Sequence, residues 1–230
     1  MDHETFTTAL LGNVNALAGG LFLLTAFGMV ATRQARGCLN LFITQSLLLA
    51  ASAFLLGLQH HSWHLYGVGL VNVIVKPILI PWILRRTASQ EVYTRREIDQ
   101  VLNIPASLLI ALALTVVAYF LSPPLLQAVE AEFRGPNVPI GLAGLLLGAY
   151  TLTARREAVP LLIGLLAMEN GAFFAGIAIS RDLPLLVELA IATDGLIIVF
   201  IMGVLTRAVQ KHIGTTAVGS LANLKEGGTW

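Results

Sequence analysis

Residues 164–179 read GLLAMENGAFFAGIAI, a stretch that is apolar except for Glu169 and Asn170 near its middle. Together with its apolar flanks, which extend it to residues 158–180, the run is long enough to cross the hydrocarbon core of a bilayer as a helix. A carboxylate at the centre of such a helix is costly and often functional. The stretch therefore predicts a membrane-spanning helix that carries a functional acid.

The rest of the chain has the composition of an integral membrane protein. Of its 230 residues, 56% are hydrophobic and 12% are charged, whereas a soluble domain carries roughly 25% charged residues. Runs of the length that spans a bilayer occur seven times, over residues 8–31, 38–58, 65–84, 104–122, 138–154, 158–180 and 183–207. The predicted fold is therefore an all-α integral membrane protein with about seven transmembrane helices, surrounded by lipid.

Basic residues predict the orientation of this bundle. Four basic clusters follow the first, third, fifth and seventh runs: Arg33 with Arg36, four arginines within residues 85–96, Arg155 with Arg156, and Arg207 with Lys211. Such clusters prefer the cytoplasmic side of the membrane. All four lie on that side if the N-terminus is outside and the C-terminus is cytoplasmic.

The order of the runs divides the chain into four predicted parts. Residues 1–103 form a three-helix unit with a cytoplasmic loop, and residues 104–137 form a connecting helix and an outer loop. Residues 138–207 form a second three-helix unit, and residues 208–230 form a cytoplasmic tail. The two units run in the same directions, as in parallel repeats. The sequence does not decide whether the two units arose by an internal duplication or match by chance.

Motifs for chemistry within the chain are absent. The sequence contains no phosphate-binding loop, dinucleotide-binding, zinc-protease or serine-hydrolase motif. Its one cysteine, Cys38, provides neither a disulfide framework nor metal-ligand spacing. The net charge of +1 gives no basic field for nucleic acid. We therefore expect no catalytic residue, bound metal or cofactor in this chain, and no nucleic-acid partner.

Four ionisable residues fall inside the predicted helices, and we predict that they form a proton or ion path: Lys76, Glu169, Glu188 and Asp194. Charged residues in hydrocarbon are rare and usually face the bundle interior. Burial favours the uncharged form of carboxyl and amine groups, so such residues can exchange protons. The alternative is a fixed ion pair between helices, which would hold the bundle together without transport.

Three further polar residues are predicted to support this path. Asn72 lies one turn before Lys76 on the same helix face, and Pro77 removes a backbone hydrogen bond beside it. This pattern predicts a polar, hydrated kink, although an ordinary proline kink is also common in membrane helices. Gln45 is expected to make hydrogen bonds between helices, and Asn170 lies next to Glu169.

Several strings resemble the hydrogenase-4 component E family, whose members are membrane subunits of group 4 nickel–iron hydrogenase and formate hydrogenlyase complexes. The most specific strings are MENG at 168–171 and LVELAIATD at 186–194, followed by TQSLLLA at 44–50, VKPILIPWIL at 75–84 and HIGTTAVGSLANLKEG at 212–227. The last three helices are also similar to the small three-helix subunit of respiratory complex I. Two membrane glutamates of that subunit correspond by position to Glu169 and Glu188.

This resemblance implies a non-redox membrane subunit of an oxidoreductase complex in the cytoplasmic (inner) membrane of a prokaryote. Its partners would be antiporter-like and quinone-site-like membrane subunits and a peripheral hydrogenase arm, and the nickel–iron and iron–sulfur centres would lie in those partners. The transported ion could be H⁺ or Na⁺. A scaffold subunit without ion transfer is the alternative. A retinal pump is disfavoured, because the seventh predicted helix contains no lysine.

Overall fold

The computed structural model describes residues 3–87, 102–127, 137–179, 199–200 and 203–204. Within these residues, six helices are long and apolar enough to span a membrane. They confirm the first six predicted spans and an all-helical, multi-pass membrane protein. The seventh predicted span, with Glu188 and Asp194, lies outside the described residues except for its helical positions 199–200 and 203–204. The count of seven and the orientation stay predictions.

The first three helices are joined by very short connections. Helix α1 covers His3–Ala31 and α2 covers Ala35–His60. Helix α3 runs as an α-helix over Trp63–Ile74, passes through a π-helical turn over Val75–Leu79 and resumes as an α-helix over Ile80–Thr87. The turn between α2 and α3 is tight, because His61 takes the left-handed conformation with φ 51° and donates its N–H to the carbonyl of Gly57.

The π-helical turn explains how α3 continues past a proline in its interior. Pro77 has no N–H to donate to the preceding turn. The backbone widens at this point, and the N–H of Ile80 donates to the carbonyl of Val75, five residues earlier. Lys76 is the buried residue of this turn. π-Helical turns inside α-helices are often found at functional sites.

The other three helices are α4, Ile104–Gln127, α5, Asn137–Ala154, and α6, Ala158–Ile179. Helix α4 extends past residue 122, where the sequence predicted its end, because Pro123 and Pro124 are accommodated in its last turns. The Ser122 hydroxyl donates to the carbonyl of Tyr119 at 2.9 Å. It thereby satisfies the acceptor that the missing N–H of Pro123 leaves free.

Among the described helices, α5 and α6 pack most closely against each other. A Cβ atom added to Gly148 would lie against the backbone of Met168, and one added to Gly171 would lie against the backbone of Leu145. Small residues at a helix interface let two backbones approach in this way. Gly144 and Gly148 lie four residues apart on α5, so this helix presents a face of small residues to α6. The contact fixes the position of α6, the helix that carries Glu169.

Apolar side chains form two clusters along the bundle. One includes Met29, Phe42 and Leu166, and the other includes Leu49 and Phe174. Helix α4 contributes little to either cluster and exposes a wide apolar face, in which Phe120 is 79% exposed. The level between the two clusters, near the middle of α2, α3 and α6, is where polar side chains meet.

Candidate functional site

Lys76 and Glu169 form an ion pair between α3 and α6. The distance from Lys76 Nζ to Glu169 Oε1 is 3.1 Å. The ammonium group also donates a hydrogen bond to Asn170 Oδ1 at 2.8 Å and lies 5.1 Å from the ring centroid of Phe173. The sequence suggested that a lysine and an acid in separate helices could interact, and the structure brings these two together.

Asn170 connects this ion pair to α2. Its Nδ2 donates to Ser46 Oγ at 3.0 Å and to Gln45 Oε1 at 3.3 Å. The Ser46 hydroxyl in turn donates to the carbonyl of Phe42 at 2.9 Å. We call Lys76, Glu169, Asn170, Gln45 and Ser46 the Lys76 cluster. It joins three helices, and it contains the two supporting residues predicted from the sequence that lie on α2 and α6.

The two charged members of the Lys76 cluster differ in exposure. The Lys76 side chain is 4% exposed, whereas the Glu169 side chain is 21% exposed. Glu169 Oε1 itself is buried, so the exposed fraction belongs to the rest of that side chain. The exposed part of Glu169 therefore lies away from the oxygen that contacts Lys76.

The contact between Lys76 and Glu169 is an ion pair without an aligned hydrogen bond. Glu169 Oε1 accepts no hydrogen bond of good geometry within the described part of the chain, although Lys76 Nζ lies 3.1 Å away. The aligned N–H of the ammonium is directed at Asn170 instead. Hydrogen bonds depend steeply on their angle. The carboxylate therefore has a lone pair available near the ammonium.

Asn72 is buried, and its side chain makes a hydrogen bond within its own helix. Its Nδ2 donates to the carbonyl of Val68 at 3.1 Å. It lies one turn before Lys76 on α3, and it is 2% exposed. The structure therefore places Asn72 beside the Lys76 cluster, where it has a polar contact with the backbone of α3.

Two of the predicted path residues cannot be placed relative to this cluster. Glu188 and Asp194 lie outside the described residues. The correspondence of Glu188 to a membrane glutamate of the complex I subunit, and the proposed duplication of the three-helix unit, both stay predictions. Among the described residues, no group of three or more His, Cys, Asp or Glu side chains could hold a metal ion.

A second polar network links α1, α2 and α5. Asn15 Nδ2 donates to Asn137 Oδ1 at 2.9 Å, and Asn137 Nδ2 donates to Ser52 Oγ at 3.0 Å. Ser52 Oγ closes the ring by donating to Asn15 Oδ1 at 2.6 Å. We call these three residues the asparagine ring. The sequence placed Asn137 in the outer loop, one residue before the predicted start of the helix that it begins.

Arg155 has a structural contact that the charge pattern did not reveal. The residue is 4% exposed, and its guanidinium donates to the carbonyls of Met29 at 2.6 Å and Thr32 at 2.7 Å. It thus caps the end of α1, where helical carbonyls lack partners. Burial lowers the pKa of the Arg155 guanidinium below its usual value. The sequence counted this arginine only as an indicator of orientation.

Comparisons with known proteins identify the family of this chain. It is 30% identical over 213 residues to an uncharacterized protein of Mycobacterium tuberculosis, a match that covers 93% of the chain and 96% of that relative. It is 29% identical over 221 residues to hydrogenase-4 component E of Escherichia coli K12, covering 92% of the chain and 97% of the relative. The chain belongs to the hydrogenase-4 component E family. The match to component E covers nearly the full length of both proteins, so the similarity is not limited to a few helices. No family model and no solved structure matches the chain.

Proposed function

We propose that this chain is a non-redox membrane subunit of a hydrogenase or formate hydrogenlyase type complex, and that its buried charges take part in moving protons or sodium ions. The name of the E. coli relative supports membership of a hydrogenase complex. The transport role is supported by one observation above all: a lysine and a glutamate form an ion pair near mid-span and connect through Asn170 to a third helix.

The chain's own contribution is to hold a titratable pair in the membrane. Ionisable residues that face the interior of a bundle often mark proton relays. Two apolar clusters lie on either side of the Lys76 cluster along the bundle, so a proton reaching the pair would travel in the membrane plane between neighbouring subunits.

The remaining parts of the proposal concern partners. Antiporter-like and quinone-site-like membrane subunits would supply and accept the ion, and a peripheral hydrogenase arm would carry the nickel–iron and iron–sulfur centres. Glu188 and Asp194 would continue the path on the seventh predicted helix. The host membrane would be the inner membrane of a prokaryote, with the C-terminus in the cytoplasm.

A scaffold role is the second candidate, and the same ion pair favours it in one respect. Lys76 joins α3 to α6 by two polar contacts, and buried pairs can serve to hold helices in a defined arrangement. In that case the charges would matter for the assembly of the complex and not for transport.

Replacing Glu169 with glutamine distinguishes the two candidates. The change keeps the shape of the side chain and removes its titratable proton. Glu157→Gln is the matched control, because it makes the same change at another buried acid, in the connection between α5 and α6. We expect Glu169→Gln to give an assembled complex with little ion transport and Glu157→Gln to transport normally. A lower yield of complex with normal transport per complex would support the scaffold instead.

A further inference from the structure

The ammonium of Lys76 occupies the position in the Lys76 cluster where a cation would bind. It lies 2.8 Å from Asn170 Oδ1, 3.1 Å from Glu169 Oε1 and 5.1 Å from the centre of the Phe173 ring. An amide oxygen, a carboxylate oxygen and an aromatic face are all groups that attract positive charge. The protein thus fills this position with its own tethered cation.

We infer that the ion exchanged at the Lys76–Glu169 pair is a proton, and that Na⁺ does not bind there. The inference rests on the proposed function and resolves which of the two ions this site handles. Three features of the cluster carry it: the direction of its hydrogen bonds, its net charge, and the open lone pair on the carboxylate.

The direction of the hydrogen bonds leaves too few oxygens for a metal cation. Gln45 Oε1 and Ser46 Oγ both face Asn170 Nδ2 and accept its N–H groups. Each of these oxygens already holds an N–H group that orients Asn170, so at most one lone pair on each is left for a cation. A cation that leaves water needs protein oxygens in place of its hydration shell. Two oxygens that already contact an ammonium do not provide such a shell.

The net charge of the pair favours a proton for a second reason. An ammonium and a carboxylate together carry no net charge, and adding Na⁺ would leave one uncompensated positive charge in a low-dielectric region. Proton transfer within the pair breaks an N–H bond of Lys76 and forms an O–H bond on Glu169. The products are a neutral amine and a neutral carboxylic acid, so the net charge stays zero throughout.

The geometry permits this transfer with small movements. The two atoms lie 3.1 Å apart, and Glu169 Oε1 accepts no aligned hydrogen bond among the described residues. A small shift of the Lys76 or Glu169 side chain brings an N–H into line with the carboxylate. The neutral amine that results still has N–H groups, so it can keep its bond to Asn170. Neither protonation state leaves Lys76 without a hydrogen-bond acceptor.

Water completes the proton balance on both sides of the pair. Glu169 releases its proton to a water molecule, which becomes hydronium, and the neutral Lys76 takes a proton from another hydronium, which becomes water. Gln45 Nε2 is a fully buried donor with no hydrogen-bond partner in the described part of the chain. Buried donors of this kind commonly bind an internal water, so Gln45 is the residue that would hold one within the cluster.

The test measures two ions in parallel with the complete complex reconstituted in vesicles. A pH-sensitive dye reports H⁺ movement, and radiolabelled Na⁺ reports sodium uptake, in media with and without Na⁺. We expect the wild-type H⁺ rate to be the same in both media. Glu169→Gln should lower the H⁺ rate by about 100-fold, the lower end of what a positioned acid or base contributes, and Glu157→Gln should not.

Lys76→Arg is the second variant, because it separates charge from proton release. Arginine keeps the positive charge and can pair with Glu169, but it does not give up its proton in proteins. A proton path therefore predicts an assembled Lys76→Arg complex that has lost H⁺ transport. Wild-type H⁺ transport in this variant would overturn the inference.

The outcomes also separate this inference from the proposed function. Sodium uptake that Glu169→Gln abolishes and Glu157→Gln retains would overturn the proton assignment, and the transport role would stand. Unchanged transport of both ions in Glu169→Gln would instead refute the transport role itself. Sodium uptake that persists in Glu169→Gln while H⁺ transport is lost would come from other subunits and would support the proton assignment.

Discussion

The hydrogen bond between Lys76 and Asn170 makes a quantitative prediction about stability. Asn170→Leu removes this bond and the two bonds to α2. A hydrogen bond to a charged group contributes about 2 kcal/mol, and a neutral bond between membrane helices contributes about 0.6 kcal/mol. The expected loss in the free energy of unfolding is therefore about 3 kcal/mol, with one charge-assisted and two neutral bonds.

A double-mutant cycle with Lys76→Met isolates the charge-assisted part. Without the ammonium, Asn170→Leu should cost only about 1 kcal/mol, the value of the two bonds to α2. The coupling energy between the two positions is then about 2 kcal/mol. The unpaired Glu169 that Lys76→Met leaves is present in both the single and the double variant, so its effect cancels from the coupling energy.

The assay is reversible unfolding of the purified protein in detergent micelles, followed by circular dichroism as a denaturing detergent is added. Ser52→Ala is the control partner for Asn170→Leu. Ser52 lies about 9 Å further along α2 than Ser46, so its effect should add to that of Asn170→Leu within about 0.5 kcal/mol. A coupling between Lys76 and Asn170 as small as that of the control pair would refute the proposed hydrogen bond.

Three further predictions concern packing, capping and membrane depth. Gly148→Val should lower the free energy of unfolding by at least about 2 kcal/mol, because the new side chain would push α5 away from α6. Gly20→Ala is the control, since a Cβ at that position meets open space, and it should be neutral or stabilising. Arg155→Met should cost about 3 kcal/mol in the same measurement, since it removes the charge-assisted hydrogen bonds to the carbonyls of Met29 and Thr32. Trp63 and Trp82 lie about 28 Å apart along α3, which places them near opposite surfaces of the membrane. Lipids brominated near the headgroups should therefore quench the fluorescence of both tryptophans more strongly than lipids brominated near the chain ends. Stronger quenching by the chain-end lipids would contradict this placement.

The spanning helices could be predicted from the sequence because their signal is local. A run of about 20 apolar residues is sufficient to identify a membrane helix, and all six described spans were found in this way. Lys76 and Glu169 were also identifiable, because charged residues inside such runs are rare. What a local signal predicts is the depth of a residue in the membrane and the helix that carries it.

The partners of these residues could not be predicted, because they depend on how the helices pack. Nothing in the sequence around Asn170 shows that it accepts a bond from a lysine 94 positions away. In the sequence, Arg155 cannot be told apart from any arginine that follows a membrane helix. In the structure, its side chain donates a hydrogen bond to the end of α1. Likewise, nothing in the sequence around Gly148 shows that it lies against the backbone of Met168 on α6.

The three groups of polar contacts differ in whether they contain an acid and a base close together. The asparagine ring closes on itself, and none of its three members has a titratable side chain. Arg155 donates to backbone carbonyls, which do not change their protonation. The Lys76 cluster, in contrast, brings an acid and a base to within 3.1 Å. Substitutions in the ring or at Arg155 should therefore change stability alone. Glu169→Gln and Lys76→Arg should change transport in complexes that still assemble, because they remove a proton-exchanging group and preserve much of its shape or charge.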